Sequence, residues 1–171
     1  MKRLVISVSV LAMLALGWDQ AVAQKLAKEA DLFAKTLKAD KDAAKRLDAA
    51  RELAGIAKLK VSYVKPHTTV LLEAFQADSD TMVRVAAGSV LLAFEAGRDE
   101  VAPIVLTMIK DDKQPGGVLA VAARLAAAYQ VKDAVPALEM LKKREEAKDD
   151  PKMRDQRLLQ AIQQALRTLS K

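Results

Sequence analysis

Apolar residues recur with helical spacing along nearly all of the chain after Gln24. In the first such stretch they fall on one face of a helix, while most of the lysines fall on the other face. These apolar residues are Leu26, Ala30, Phe33, Ala34 and Leu37. No stretch shows the sustained alternation of a half-buried strand, so the pattern predicts an all-α protein.

Capping residues, prolines and glycines divide the pattern into eight predicted helices. N-caps are expected at Asp40, Asp133 and Asp150 and at one of the three residues 78–80, and Gly97 is expected to end the fourth helix in a left-handed turn. Short connections join the helices as four antiparallel pairs. After the first helix, the predicted helices cover residues 41–58, 66–77, 81–96, 99–110, 118–130, 134–146 and 151–170.

Small residues and prolines repeat along these pairs at nearly constant intervals. Paired alanines, 37 and 36 residues apart, lie inside second helices at 49–50, 86–87 and 122–123. Prolines recur near the starts of first helices, at positions 66, 103 and 136. Such a period predicts an α-solenoid of about four antiparallel helix pairs. The interface between its units would include Val83, Leu91, Leu92 and Phe94.

Two segments in these pairs resemble the HEAT-repeat family, in its bacterial form with short units. In residues 78–87, Asp78 is followed six residues later by Arg84, and residues 134–141 resemble a HEAT first helix. The resemblance covers about residues 28–170. It implies an armadillo-like helical fold and says little about the ligand.

The resemblance also implies a structural ladder of aspartates and arginines between stacked units. Asp40 and Arg46 repeat the six-residue spacing of Asp78 and Arg84, so these four residues would form it. The third unit has Ala120 where arginine is expected, and the fourth has a lysine at position 148 where aspartate is expected. The implied ladder is therefore confined to the first two units.

The chain begins with the three-part pattern of a secretory signal peptide. Two basic residues precede an uncharged, mostly apolar run of 15 residues over 4–18, and alanines follow at positions 21 and 23. Cleavage between Ala23 and Gln24 would make residues 1–23 the signal peptide and residues 24–171 one exported domain, periplasmic or secreted. An uncleaved N-terminal anchor is the alternative, although a membrane span needs about 20 residues.

The side-chain inventory argues against catalysis. The chain has no cysteine, and His67 is its only histidine. Zinc sites favour clusters of these two residue types, and a serine nucleophile needs a base that an orienting group holds in place. We therefore predict no enzyme, no catalytic residue, no cofactor and no metal site. A hydrolase that depends on His67 is a minority alternative.

Basic residues are concentrated towards the two ends of the exported domain. Residues 24–65 carry 11 basic and 6 acidic side chains, and residues 131–171 carry 10 and 7. The terminal units of a repeat array need polar outer faces for solubility, which explains much of this charge. The functional alternative is that the basic ends bind an anionic polymer at the cell envelope.

The leading functional prediction is a monomeric scaffold that binds another protein through the concave face lined by the second helices. Nucleic acid is disfavoured because export removes the chain from the cytoplasm and few aromatic residues lie among the basic ones. No stable membrane span is expected after signal cleavage. The candidate contact residues are Arg124, Arg154, Arg157, Gln160, Gln164 and Arg167, and those on the last helix share a face.

Overall fold

The computed structural model describes residues 8–93 and 97–171, with side chains from residue 20 onward. Those residues contain α-helices and short 3₁₀ turns and no strand, which confirms the all-α prediction. The α-helices are α1 (Val8–Ala39), α2 (Ala43–Leu59), α3 (Thr68–Ala77), α4 (Thr81–Leu91), α5 (Arg98–Lys110), α6 (Gly116–Ala128), α7 (Val135–Glu146) and α8 (Gln156–Leu169).

The helices pack as consecutive pairs and also as alternate neighbours. α1 contacts α2, α3 contacts α4, α5 contacts α6, and α7 contacts α8. The second helices of the pairs also contact each other in the order α2, α4, α6 and α8, and the first helices do so in the order α1, α3, α5 and α7. The second helices therefore form one layer of the molecule and the first helices form the other.

Several helix starts differ from those predicted, because one aspartate forms the turn before a helix and another caps the helix itself. Asp42 caps α2, since its side chain accepts a hydrogen bond from the amide of Ala44. Asp40 instead accepts one from the amide of Asp42, at 2.9 Å, and so shapes the turn that precedes the cap. The predicted N-cap at Asp40 is therefore wrong by two residues. Of the three candidates at 78–80, Asp80 is the cap of α4.

The last two helices begin later than predicted. Residues 132–134 form a 3₁₀ turn, and α7 starts after Ala134 without a side-chain cap, so Asp133 does not cap it. Residues 151–153 form another 3₁₀ turn after Asp150, and the extended backbone at Arg154 separates this turn from α8. The cap of α8 is Asp155, whose carboxylate accepts from the Leu158 amide at 3.0 Å.

The end of the fourth helix is also different. α4 ends at Leu91, five residues before the predicted end, and residues 94–96 lie outside the described residues. Gly97 has a φ of −61°, so it is not in the predicted left-handed conformation, and it forms the N-cap of α5 instead. Phe94 of the predicted core also lies outside the described residues.

The core is built from aliphatic residues and many alanines, which let helices approach closely. Val83 and Leu91 of α4 are completely buried, as predicted, whereas Leu92 is half-buried and borders a groove on the surface. Phe75 of α3 is also completely buried, and its ring lies against Gly88 of α4. These contacts fix the spacing between the two layers.

The predicted signal peptide falls partly outside the described residues. Residues 1–7 lie beyond them, and α1 runs without a break through the predicted cleavage point between Ala23 and Gln24. Within residues 8–93 and 97–171, no helix combines the length and the apolar character that crossing a membrane requires.

Candidate functional site

A bidentate ion pair connects the first helix pair to the second. The guanidinium of Arg46 on α2 donates from Nε to Asp78 Oδ2 at 2.7 Å and from Nη2 to Asp78 Oδ1 at 2.8 Å. Its Nη1 donates to the carbonyl oxygen of Asp40 at 2.9 Å. Asp40 contacts this guanidinium through its backbone oxygen only, and its carboxylate Oδ2 lies 3.9 Å from Lys45 Nζ. The planar fork of arginine suits this two-point contact, which neither lysine nor a single hydrogen bond could reproduce.

The electrostatics of Asp78 show that its carboxylate is held in the charged form. Burial by itself raises the pKa of Asp78, but the hydrogen bonds from Arg46 and from the Asp80 amide outweigh burial and leave the pKa below its usual value. Both side chains are nearly enclosed, with 11% of Arg46 and 7% of Asp78 exposed. Because the pair is nearly enclosed and joins two helix pairs, it has a structural role.

The next predicted ladder residue, Arg84, has no direct carboxylate partner. Its Nε donates to the carbonyl oxygen of Phe75 at 3.0 Å, and its Nη2 donates to the side-chain oxygen of Gln114. Gln114 Nε2 in turn donates to Asp111 Oδ2 at 2.5 Å. Arg84 is therefore linked to the connection between α5 and α6 by the side-chain amide of Gln114. The contacts between helix pairs thus extend beyond the first two units, to which the predicted ladder was confined.

The sequence motifs did not point to Gln114 and Asp111, because the six-residue spacing of aspartate and arginine contains no glutamine. Here the side-chain amide of Gln114 connects Arg84 to Asp111, an arrangement that we call the amide relay. One local signal was present. The side chain of Asp111 accepts from the backbone amide two residues later, at 3.0 Å, as the side chains of Asp40 and Asp78 do at 2.9 and 2.8 Å. A repeated aspartate turn before each second helix would have marked Asp111 as the equivalent position.

Arg154, another predicted binding residue, is bonded into the connection before α8. It lies half-buried between α7 and α8, where its Nε and Nη2 donate to the carbonyl oxygen of Lys148 at 3.1 and 2.9 Å. Nearby, the buried Glu145 accepts from the Asp155 amide and from Lys148 Nζ, both at 2.5 Å. These contacts close the last helix connection and give Arg154 a structural contact there, so its role in binding stays a prediction.

The other five predicted binding residues lie exposed on α6 and α8. Arg124 of α6 and Gln164 of α8 line a shallow surface groove of about 350 Å³, which we call the α6–α8 groove. Arg157, Gln160 and Arg167 lie on exposed turns of α8. The other residues that line the groove are Leu92, Ala127, Ala128, Ala161, Ala165 and Thr168, which give it a mostly apolar floor.

The positive charges of this surface have no carboxylate partner among the described residues. α6 and α8 contain no acidic residue, and Arg124, Arg157 and Arg167 make no hydrogen bond or ion pair within the part of the chain that the structure describes. Elsewhere, many exposed cations have carboxylate partners, with nitrogen–oxygen distances from 3.3 to 3.9 Å. These pairs are Lys25–Glu29, Lys38–Glu73, Lys45–Asp40, Arg51–Asp48 and Lys142–Glu146.

The geometry around His67 gives it a contact with α1. Its Nε2 lies 3.1 Å from Asp31 Oδ1, and 16% of its side chain is exposed, so the pair joins α1 to the connection between α2 and α3. Among the residues that the structure describes, no three or more aspartates, glutamates or histidines are grouped as metal ligands.

Comparison with protein-family models, with curated proteins and with solved structures found no match to this chain. The resemblance to HEAT repeats therefore stays a prediction from the sequence motifs.

Proposed function

We propose that this protein is an exported, non-catalytic scaffold, built as a HEAT-like α-solenoid, that binds a partner protein through the layer of second helices. The observation that carries this proposal is the alternate contact of α2, α4, α6 and α8, which makes their outward faces one continuous surface. In stacked helical repeats such a surface is the usual place for an extended partner.

The distribution of charge supports the α6–α8 end of this layer as the binding region. Its arginines are exposed and have no partner among the residues that the structure describes, whereas Arg46 and Arg84 of α2 and α4 form contacts between helix pairs. A cation without a partner loses little when it engages an incoming carboxylate, because no existing ion pair has to be broken.

The alternative function is binding of an anionic polymer through the basic ends of the domain. The ion pairs of α1, α2 and α7 weaken this alternative, because they offset part of the excess positive charge in these segments. Such binding would fall steeply with salt, since exposed charges are screened beyond about 8–10 Å at physiological ionic strength.

The test is affinity capture from envelope extract with the full chain carrying a C-terminal tag, followed by mass spectrometry at low and moderate salt. We expect a defined protein to be retained in both salts by the wild type. The double charge reversal R157E/R167E should reduce its capture by about tenfold or more, because repulsion replaces attraction at two exposed positions.

The matched control is K35E/R98E, which makes the same change in net charge at exposed positions of α1 and α5, in the other layer. Circular dichroism should give the same helical melt for all three proteins. Full capture by a folded R157E/R167E variant would contradict the proposed surface. Equal losses in both variants, with retention only at low salt, would favour the anionic polymer.

A further inference from the structure

We propose that the α6–α8 groove binds an acidic peptide segment of a partner protein, with one apolar side chain on the groove floor and carboxylates on the surrounding arginines. This inference rests on the proposed function and names the chemistry of the partner. It combines three observations on α6 and α8: arginines that have no carboxylate partner within residues 20–93 and 97–171, an apolar floor and exposed glutamines.

The floor of the groove selects for an apolar side chain. Four alanines and Leu92 leave a depression in the surface, because their short side chains do not fill the space between α6 and α8. The hydroxyl of Thr168 donates to the carbonyl oxygen of Gln164 at 3.0 Å, so it is not a free donor at this edge. Burying an aliphatic side chain of the partner here would be favourable because apolar surface leaves water on both sides.

The rim of the groove selects for carboxylates. Arg124 and Gln164 border the floor itself. On α8, Arg157 lies one turn before Ala161, the first groove residue of this helix, and Arg167 lies next to Thr168, the last. A guanidinium binds a carboxylate through two parallel hydrogen bonds, which gives orientation as well as attraction. The exposed glutamines at positions 160 and 164 can donate to and accept from the backbone of a bound segment.

The spacing of the arginines sets the length of the segment. Arg157 and Arg167 are ten residues apart on one helix, which corresponds to about 15 Å along its axis. An extended peptide covers that distance in about five residues. A central leucine with glutamates two or three positions away on each side would therefore place its carboxylates near both arginines.

A polyanion fits this surface less well. The surface has three arginines separated by uncharged glutamines and alanines, instead of a continuous track of cations. Polyanion affinity depends on how many charges are neutralised and is indifferent to an apolar side chain. The groove floor is therefore the feature that separates the two kinds of ligand.

The experiment measures fluorescence anisotropy of labelled nine-residue peptides with the full chain. The first peptide has a central leucine, with glutamates at the second and third positions on each side of it. The second has serine in place of leucine, and the third has glutamine in place of every glutamate. We expect the first peptide to bind at least about tenfold more tightly than either of the others.

Two variants of the protein locate the site. R124Q removes the charge at the rim, and A128Q fills the exposed edge of the groove without adding charge. Each should weaken binding of the first peptide by about fivefold or more, while the control K35Q/R98Q binds as the wild type does. Circular dichroism checks that each variant folds.

Failure of this inference can be told apart from failure of the proposed function. The acidic-segment proposal would be overturned if the first peptide did not bind, or if the serine peptide bound as tightly as the leucine peptide. It would also be overturned if R124Q and A128Q bound the first peptide as tightly as the wild type does. Inorganic polyphosphate that binds more tightly than the first peptide would also overturn it, in favour of a polyanion. If R157E/R167E still loses capture of a protein partner, the scaffold proposal stands without this peptide chemistry.

Discussion

Two glycines of this chain lie in opposite surroundings. Gly88 is buried in α4, and a Cβ atom there would lie 2.5 Å from Phe75 Cδ2 and 2.7 Å from Val121 Cγ1. Gly55 is exposed in α2, and a Cβ atom there would meet nothing within 4 Å. The first glycine permits α3, α4 and α6 to approach closely, whereas the second only adds flexibility to a helix.

The substitutions G88A and G55A should therefore have opposite effects on stability. In G88A the crowding against the completely buried Phe75 should outweigh the helix propensity of alanine, for a net loss of about 1–2 kcal/mol. G55A should gain about 0.5–1 kcal/mol, because alanine has less backbone freedom to lose in a helix. Urea unfolding followed by circular dichroism measures both. A G88A variant as stable as G55A would contradict the predicted crowding, because α3 and α6 would then make room for the added methyl group at little cost.

At the level of helices and their connections, the Arg46–Asp78 pair links α2 to the turn before α4. Local signals predicted the two helices, because apolar periodicity and acidic caps act over a few residues. The partner of the arginine is 32 residues away in the sequence, and the six-residue motif placed Asp40 and Arg46 in one unit without showing which atoms meet. Only the packing of two helix pairs brings this guanidinium to that carboxylate.

The substitution D78N should lower the free energy of unfolding by about 1–3 kcal/mol at pH 7, because the amide replaces a charged acceptor of three hydrogen bonds, two from Arg46 and one from the Asp80 amide. The pKa of Asp78 is lowered in the folded protein, so its charged form stabilises the fold above its unfolded pKa of about 3.9. That contribution is lost as the pH falls through the lower folded pKa.

Unfolding midpoints measured between pH 7 and pH 2.5 should then converge for wild type and D78N only below about pH 4. D48N is the matched control, since Asp48 forms an exposed ion pair with Arg51 at 3.3 Å and should change stability little. A constant difference between wild type and D78N down to the lowest pH would contradict the charged pair as its source.

Across the whole molecule, two layers of helices follow from the repeated pairs, and the second layer supplies the proposed binding surface. The role of the candidate surface in binding stays a prediction, but the exposed positions of five of its six residues on α6 and α8 could be predicted. Arg154 could not, because its place depends on the break between residue 153 and α8 and on the carbonyl oxygen of Lys148. The groove was also invisible in the sequence, since its lining comes from three separate segments.

The proposed export of the molecule predicts a defined N-terminus. Expression of the full chain in a bacterial host should yield an envelope-fraction protein whose intact mass corresponds to residues 24–171, because the first 23 residues have the pattern of a cleaved signal. A23R should block this cleavage, since small residues are required at the site. Wild-type protein that keeps residues 1–23 in the envelope fraction would indicate the uncleaved anchor instead.

The amino-acid sequence was sufficient for the helical class, for most helix boundaries to within a few residues, and for the uneven charge. These properties arise from neighbours within one or two turns, so periodicity, caps and prolines encode them locally. The pairing of Arg46 with Asp78, the amide relay from Arg84 to Asp111, the crowding at Gly88 and the apolar floor between α6 and α8 required the folded chain. Each depends on side chains from different helices meeting at distances of a few ångströms, and that geometry exists only once the layers have packed.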